Sequence, residues 1–260
     1  MTRAGQIGLA VMVAGVVLIG TISIALFSAS PKTLTFKVDV PQEVHIRSGA
    51  AVVLNDPDPV SLYVVDEGAK LSVTRPQGNP NRVRRLALRV SRGGTLEAAG
   101  TNIEVTAEPG SQATVSDGVL INAVGAVVYA RGTARVKALS GSVIHNSGTG
   151  DEYAYDGSIT YAKMRGRVFA EKGALVYAKS PDDCDACTQV QADPGSTVFV
   201  YQGAEAFATQ ATVTVYKGGE VGCYHGCTLY LFPEAEFNFG PHCIVHQMTA
   251  ESPMVPFKEE

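Results

Sequence analysis

The sequence has 260 residues, of which 45% are hydrophobic, and it carries a formal net charge of −4. This hydrophobic content excludes a wholly disordered chain, and the length suffices for one or two domains with a sizeable core. No basic excess points to nucleic acid, so we predict no nucleic-acid partner.

The N-terminal region contains an uncharged, apolar run at residues 6–29. A helix needs about 20 such residues to cross a bilayer, so we predict an N-terminal anchor at 1–30 with a transmembrane helix over 6–29. A cleaved signal peptide is the alternative, although its apolar part usually spans only about 7–15 residues. Arg3 precedes the run and favours a cytoplasmic N-terminus. The expected protein is single-pass, held in the membrane through residues 6–29, with an extracytoplasmic C-terminal domain.

Residues 31–90 are richer in proline, with DPDP at 56–59 and PQGNP at 76–80. This composition predicts irregular first coils or a small β cap. The run at 81–92 alternates leucine and valine with arginine, which predicts a strand with an arginine-bearing outer face. That face is either solvated or in contact with anionic lipid head groups near the anchor.

From residue 125 onward the sequence repeats at an interval of sixteen residues. One register of the repeat holds Gly125, Gly141, Gly157 and Gly173, and another holds Tyr129, His145, Tyr161 and Tyr177. Each half of the interval is a glycine turn followed by about five residues rich in Val, Ile, Tyr and Ala, the pattern of a short strand. A lone strand of this length cannot bury its face, whereas copies stacked at about 4.8 Å form a continuous core.

We therefore predict an all-β fold, a β-solenoid with two short strands in each coil of about 16 residues, preceded by the transmembrane helix. Its body is expected at 91–250, with cysteine-rich C-terminal coils, followed by a tail at 251–260. Over residues 33–250 such coils would number up to about 13 and form a rod of roughly 60 Å.

Period-two alternation assigns the faces of these strands. Charged residues are expected to face water, so the small residues between them face the core. The inward set is predicted to be Val128, Ala130, Ile144, Val176, Ala178, Val136, Ala138, Val168 and Ala170. Glu152 falls in the same inward column, and we expect a bulge across residues 146–152 to displace it.

Segments such as GAVVYAR, GSITYAK and GALVYAK follow one another between glycine turns. This pattern resembles the short-repeat β-solenoid proteins of actinobacteria and their phages, over about residues 90–230. The chain is more distantly similar to bactofilins, which are polymer-forming β-helical scaffold proteins that in some cases carry a membrane segment. The resemblance implies the β-solenoid fold, and the second likeness implies self-assembly.

The outward column of the repeat is the main candidate binding surface. It contains Tyr129, His145, Tyr161 and Tyr177, flanked by Arg131, Lys163 and Lys179. Stacked aromatic rings with a basic edge offer cation–π and hydrogen-bonding groups to a flat partner or an anionic glycan. The alternative is that like side chains on successive strands stabilise each other and bind nothing.

The cysteines come late in the chain, at Cys184, Cys187, Cys223, Cys227 and Cys243. In an extracytoplasmic domain they are expected to form disulfides. Cys227 and Cys243 are sixteen residues apart, so neighbouring coils would bring them within disulfide range. A zinc site made of Cys184, Cys187, Cys223 and Cys227 is the alternative.

No GxSxG, P-loop or HExxH motif occurs. The acidic residues are scattered, in a group at 182–185 and another at 151–156, and neither has EF-hand spacing. We therefore predict no catalytic residues and no cofactor. The predicted function is a non-catalytic, surface-displayed spacer, binding or assembly protein, with self-association or a surface glycan or protein as partner. A bactofilin-like polymer-forming scaffold and a carbohydrate-active β-helix enzyme are the alternatives.

Overall fold

The computed structural model describes residues 16–17, 42–55, 57, 61–76, 85–163, 166–180 and 188–257. The transmembrane helix predicted over 6–29 lies outside the described residues, apart from Val16–Val17, which form a short strand antiparallel to residues 45–46. In the part of the chain that the structure describes, no helix combines the length and apolarity needed to span a bilayer.

The described residues form short strands throughout. The first thirteen are β1 (Val16–Val17), β2 (Gln42–Ile46), β3 (Ala51–Asn55), β4 (Ser61–Val65), β5 (Lys70–Arg75), β6 (Leu86–Val90), β7 (Thr95–Gly100), β8 (Ile103–Ala107), β9 (Gln112–Ser116), β10 (Leu120–Ala123), β11 (Val127–Ala130), β12 (Arg135–Ala138) and β13 (Val143–Asn146). The others are β14 (Asp151–Ala154), β15 (Ile159–Lys163), β16 (Arg167–Ala170), β17 (Leu175–Lys179), β18 (Gln189–Ala192), β19 (Thr197–Val200), β20 (Glu205–Thr209), β21 (Thr212–Val215), β22 (Glu220–His225), β23 (Thr228–Leu231), β24 (Glu236–Phe239) and β25 (Ile244–Gln247).

These strands form two sheets that the chain visits in turn. Sheet A has 13 strands, β1 and the even-numbered strands, and sheet B has the 12 odd-numbered strands from β3 onward. From β2 on, each strand pairs in parallel with the strand one coil away. The chain is thus a two-sheet parallel β-solenoid, as predicted. Its described residues make twelve coils in eleven steps, which at about 4.8 Å a step gives a rod of roughly 50 Å.

The sixteen-residue interval is confirmed where it was found and varies elsewhere. Val127 lies opposite Val143, which lies opposite Ile159 in the next coil. Three steps of sheet B are longer, at 19, 25 and 22 residues, because the chain has additional residues near 56–60, 76–85 and 180–188, while the strands on either side stay in register. The described part of residues 31–90, expected to be irregular first coils or a β cap, contributes β2 to β6 to the same two sheets.

The glycine register marks the corner at which the chain passes from sheet A to sheet B. Gly125, Gly141, Gly157 and Gly173 all have positive φ angles, between 57° and 79°. Their amides form a ladder along the rod: Gly141 donates to the carbonyl of Gly157 at 2.9 Å, and Gly157 donates to Gly173 at 3.2 Å. Glycine recurs here because it adopts this left-handed conformation without steric cost.

The core is narrow and filled by alternate residues of both sheets. All nine residues predicted to face inward are buried, each with at most 1% of its surface exposed. Valine and alanine dominate because a coil of this length encloses little space between its two sheets.

Glu152 also points into this core, and the bulge expected to displace it is wrong. It pairs in register between Val136 and Val168, and none of its surface is exposed. Asn146 donates from Nδ2 to its Oε2 at 3.1 Å, and the Thr160 hydroxyl donates to its Oε1 at 2.5 Å. These bonds replace those lost to water, so the carboxyl is accommodated without a shift in the ladder. The polar group separates two apolar clusters, one ending at Ile144 and the other beginning at Ala154.

Burial raises the pKa of Glu152 from 4.5 to about 7, an effect that the hydrogen bonds from Thr160 and Asn146 partly oppose. Between these two pH values the folded chain therefore binds a proton that the unfolded chain has released. The free energy of unfolding should consequently fall as the pH rises through this window and level off above it.

Glu152→Gln should remove this pH dependence, because the amide keeps the size of the side chain but does not ionise. We expect its stability relative to the wild type to increase by about 3 kcal/mol between about pH 4.5 and about pH 8. Urea unfolding of both proteins across this pH range measures the difference in their free energies of unfolding. The contributions of the other carboxyl groups are the same in both proteins and cancel in this difference. A difference that is independent of pH would contradict the burial of a neutral carboxyl.

Candidate functional site: an aromatic ladder and the tail that covers it

The outward column of sheet B is a ladder of stacked rings. It consists of Tyr129, His145, Tyr161, Tyr177 and Phe199, which we call the aromatic ladder. Neighbouring ring centroids are 4.9–5.2 Å apart and neighbouring planes are tilted by only 8–15°. The sequence predicted the first four positions and their alignment, which the strand register confirms. The sequence pattern did not include Phe199, because additional residues between the two strands lengthen that step to 22 residues.

Stacking determines which part of each ring is available to a partner. Because the planes are nearly parallel and one strand spacing apart, neighbouring rings cover both faces of the three inner rings and one face of each end ring. Only the ring edges and polar atoms point away from the sheet. This packing is the cross-strand stabilisation expected of like residues on successive strands.

A second column runs beside the ladder at the C-terminal ends of the sheet B strands from β11 to β23, and each member is either the last residue of its strand or the residue that follows it. In chain order it holds Arg131, Ser147, Lys163, Lys179, Tyr201, Tyr216 and Phe232. Lys163 and Lys179 lie directly opposite each other in the paired strands β15 and β17. Tyr201 and Tyr216 stack with centroids 4.7 Å apart, and Tyr216 lies 4.7 Å from Phe232. The second column is therefore basic in its middle part and aromatic toward the C-terminus.

The C-terminal tail folds back over both columns. The ring of Phe257 meets Tyr161 and Tyr201 edge-on, with centroid distances of 6.1 and 5.3 Å and interplanar angles of 87° and 79°. The Nζ atoms of Lys163 and Lys179 lie 5.5 and 5.9 Å from its centroid, within cation–π range. Phe257 thus occupies a cage of two tyrosines and two lysines, and Tyr161 is left only 8% exposed.

Two tyrosine hydroxyls hold the backbone of the tail. Tyr201 donates to the carbonyl of Val255 at 2.6 Å, and the amide of Val255 donates to the Tyr216 hydroxyl at 3.0 Å. Burial raises the pKa of both phenols, so both stay neutral and Tyr201 keeps the proton that it donates to Val255. The pair binds the backbone N–H and C=O of one residue, Val255, and neither bond involves its side chain.

The sequence pattern did not reveal this contact. Tyr201 and Tyr216 lie beyond the strict sixteen-residue register, and the tail has no repeat at all. The available signal was the composition of the tail, where Pro253 and Pro256 flank Val255 and precede Phe257. Proline favours an extended backbone, which suits a segment lying along a sheet.

The cysteines are arranged differently from the sequence prediction. Cys223 is bonded to Cys243, while Cys227 is buried and free, so the predicted pairing of Cys227 with Cys243 is wrong. The interval of sixteen does place Cys227 beside Cys243 along the rod, but Cys223 faces Cys243 across the corner. Cys184 and Cys187, which the disulfide and zinc hypotheses also used, lie outside the described residues.

Other charged candidates are engaged in ion pairs. On the predicted arginine-bearing face, Arg85 lies 3.3 Å from Glu104 and Arg89 lies 3.9 Å from Glu108. In the acidic group at 151–156, Asp151 is paired with Arg167 at 2.7 Å. The acidic group at 182–185 lies outside the described residues.

Comparison with known proteins adds little to the geometry. No family model and no curated protein matches the chain. Among solved structures the chain is similar to a TibC-catalysed, hyper-glycosylated TibA55-350 fragment, with a TM-score of 0.40 and 17% sequence identity. The match covers 80% of this chain and 92% of that one. The class of the protein, an all-β two-sheet β-solenoid, is given by the pairing of its own strands.

Tyr216→Phe should loosen the tail without disturbing the coils. The amide of Val255 loses its acceptor, and we expect its hydrogen exchange to accelerate by about tenfold or more, because exchange no longer requires that hydrogen bond to open first. The global free energy of unfolding should change by only about 1 kcal/mol. Exchange of the tail amides, followed by NMR or mass spectrometry, measures the effect.

Tyr230→Phe is the matched control, because the Tyr230 ring also stacks on its neighbour in sheet B, His246. Exchange at Val255 should be unaffected in this variant. Equal protection of Val255 in the wild type and in Tyr216→Phe would show that the tail does not depend on this hydroxyl.

Proposed function

We propose that the protein is a non-catalytic binding solenoid whose aromatic ladder and neighbouring second column hold an extended protein segment. The observation that supports this is the docked tail. Its backbone is bound through Val255 by two tyrosine hydroxyls, and its one aromatic side chain, Phe257, lies in the cage of tyrosines and lysines. A surface that binds a peptide unit and an aromatic side chain of its own chain has the groups needed to bind the same features of a partner.

The ring geometry favours a peptide over a glycan. Sugars pack on the open faces of aromatic rings, but in the ladder neighbouring rings cover these faces, apart from one on each end ring. The exposed edges suit the T-shaped contacts that Phe257 makes. The expected ligand is therefore an extended segment with an aromatic residue two positions after the residue whose backbone N–H and C=O are held by the tyrosine pair.

The proposal includes an N-terminal membrane anchor over residues 6–29 with the solenoid outside the cell, supported by the length of the apolar run. In that arrangement a rod of roughly 50 Å would act as a spacer that carries the ladder away from the membrane. The ladder lies in the middle coils, β11 to β19, and so at a distance from either end.

A chain lacking residues 251–260 should bind a synthetic peptide of residues 249–260 added in solution. Fluorescence anisotropy of the labelled peptide measures the affinity. The full-length chain should bind the same peptide far more weakly, because its own tail competes at a high effective concentration. A peptide carrying Phe257→Ala should bind about tenfold more weakly or worse, since it loses the caged ring.

Pro253→Ala in the peptide is the matched control, because it alters the same segment without touching the cage. The proposal is wrong if the truncated chain binds the wild-type and Phe257→Ala peptides equally, or binds neither. Binding of an anionic polysaccharide that the peptide does not displace would support the glycan alternative instead.

A second candidate function, self-association into a scaffold, is favoured by the C-terminal end of the solenoid. Phe237 and Phe239 occupy inward columns, opposite Val221 and Cys223, yet they are 43% and 50% exposed. They are exposed because β24 is the last strand of sheet A among the described residues. A second copy stacked on this end would cover both rings and pair the open strand edge.

If the end mediates self-association, replacing Phe237 and Phe239 by Ser should abolish it. Sedimentation velocity over a range of concentrations should then show only the monomer, whereas the wild type forms larger species. Val53→Ser is the control, because it removes a side chain that is 69% exposed near the opposite end. A wild type that remains monomeric at every concentration would exclude this candidate.

A further inference from the structure

Three cysteine sulfurs meet at one corner of the last two coils. The Sγ atoms of Cys223, Cys227 and Cys243 all lie within 4.8 Å of one another. Cys223 and Cys227 are buried, and Cys243 is partly exposed. The Cys223–Cys243 disulfide uses two of the sulfurs and leaves the third beside it.

The chain places these cysteines where earlier coils carry small residues. Cys223 continues the inward column of Ala192 and Ala208 at the end of the sheet A strands. Cys227 and Cys243 continue the column of Ala211 on the other side of the corner. Cysteine therefore replaces small residues in two facing columns at the same level of the rod. One such replacement would be ordinary core packing, but three that converge make a cluster of ligands.

The spacing of the three sulfurs also fits a metal ion once the bond between Cys223 and Cys243 is broken. With Zn–S bonds of about 2.3 Å, thiolates around a tetrahedral zinc lie about 3.8 Å apart, and the three sulfurs are already within 4.8 Å. The Cα atoms of Cys223 and Cys243 are 7.1 Å apart, beyond the roughly 4.4–6.8 Å that most disulfides span. A disulfide also gives no role to Cys227.

Nitrogen donors for a fourth position lie close by in the chain. His242 immediately precedes Cys243, and His225 is two residues before Cys227. Their rings contact each other edge-on, with centroids 5.3 Å apart, and both residues are exposed. Three thiolates and one imidazole form a common structural zinc set.

We propose that Cys223, Cys227 and Cys243, when reduced, bind one zinc ion, with His242 or His225 as the fourth ligand, and so tie the last two coils together. This set differs from the one the sequence suggested, because it uses Cys243 and needs neither Cys184 nor Cys187. The site shares no residue with the aromatic ladder, so the test of the zinc site and the test of the proposed function have independent outcomes.

The bonded pair is then the oxidised state of the same site. Oxidation removes two electrons from the Cys223 and Cys243 thiolates, forms the bond between their sulfurs and releases the zinc. A small-molecule disulfide such as oxidised glutathione accepts the two electrons and leaves as two thiolates. Cys227 is left as a thiol after it takes up a proton.

The test is to purify the full chain under reducing, anaerobic conditions, load it with zinc and measure bound metal by mass spectrometry. We expect one zinc per chain, and cobalt substitution should give the charge-transfer absorption of thiolate ligands. Cys227→Ser should lower zinc affinity by more than about 100-fold, since loss of even an outer-shell partner costs about 10–100-fold. Cys184→Ser/Cys187→Ser is the matched control and should bind zinc as the wild type does.

A second measurement does not depend on the folding of any variant. In the reduced wild type, zinc should protect Cys243, the partly exposed member of the cluster, from alkylation, and oxidised glutathione should release the metal and produce the Cys223–Cys243 disulfide. The proposal is overturned if the reduced chain binds no zinc. It is also overturned if zinc is retained by Cys227→Ser and lost by Cys184→Ser/Cys187→Ser.

Discussion

The backbone hydrogen bonds between successive coils are the constraint on which the rest of the structure depends. Because each strand from β2 on pairs in parallel with the strands one coil away, a strand residue sits above its paired counterpart in the preceding coil, at about the strand spacing. Inward columns must then be made of residues small enough for a narrow interior. In outward columns, a repeated residue type lies next to its copy in the neighbouring coil. The aromatic ladder follows directly, since rings stacked at this spacing cover each other's faces. Because the strands must stay in register, the additional residues of the longer intervals lie between strands and not within them.

Glu152 shows how strong this constraint is. A shift of one residue would move the carboxyl to water, but it would also turn Ala154 out of the core and bring Asp151 and Tyr153 into it. The neighbouring strands hold the register on both sides, at Val136 and Val168. The chain instead supplies polar partners at Asn146 and Thr160, and the carboxyl takes a raised pKa. Burying a neutral, hydrogen-bonded acid costs less than disrupting two ladders.

Features that repeat were predictable from the sequence, and features that occur once were not. The period, the two strands per coil, the inward set and the alignment from Tyr129 to Tyr177 are all periodic, and the structure confirms them. Phe199 was not predicted because additional residues lengthen its interval from Tyr177 to 22 residues. Residues 31–90 were predicted to be irregular first coils or a β cap, because longer intervals there obscure the sixteen-residue period. The docking of Phe257 and the pairing of Cys223 depend on contacts that no interval encodes. The anchor over 6–29 remains a prediction.

The stacked coils also place two like charges side by side, and the tail lies over them. Lys163 and Lys179 lie opposite each other on paired strands, where like charges repel. The Phe257 ring lies within 6 Å of both ammonium groups, and its electron-rich face attracts each of them. Under the proposed function, two adjacent cations next to tyrosine edges would favour an aromatic side chain over an aliphatic one. That arrangement follows from repetition itself, because an exact sixteen-residue repeat brings the two lysines together.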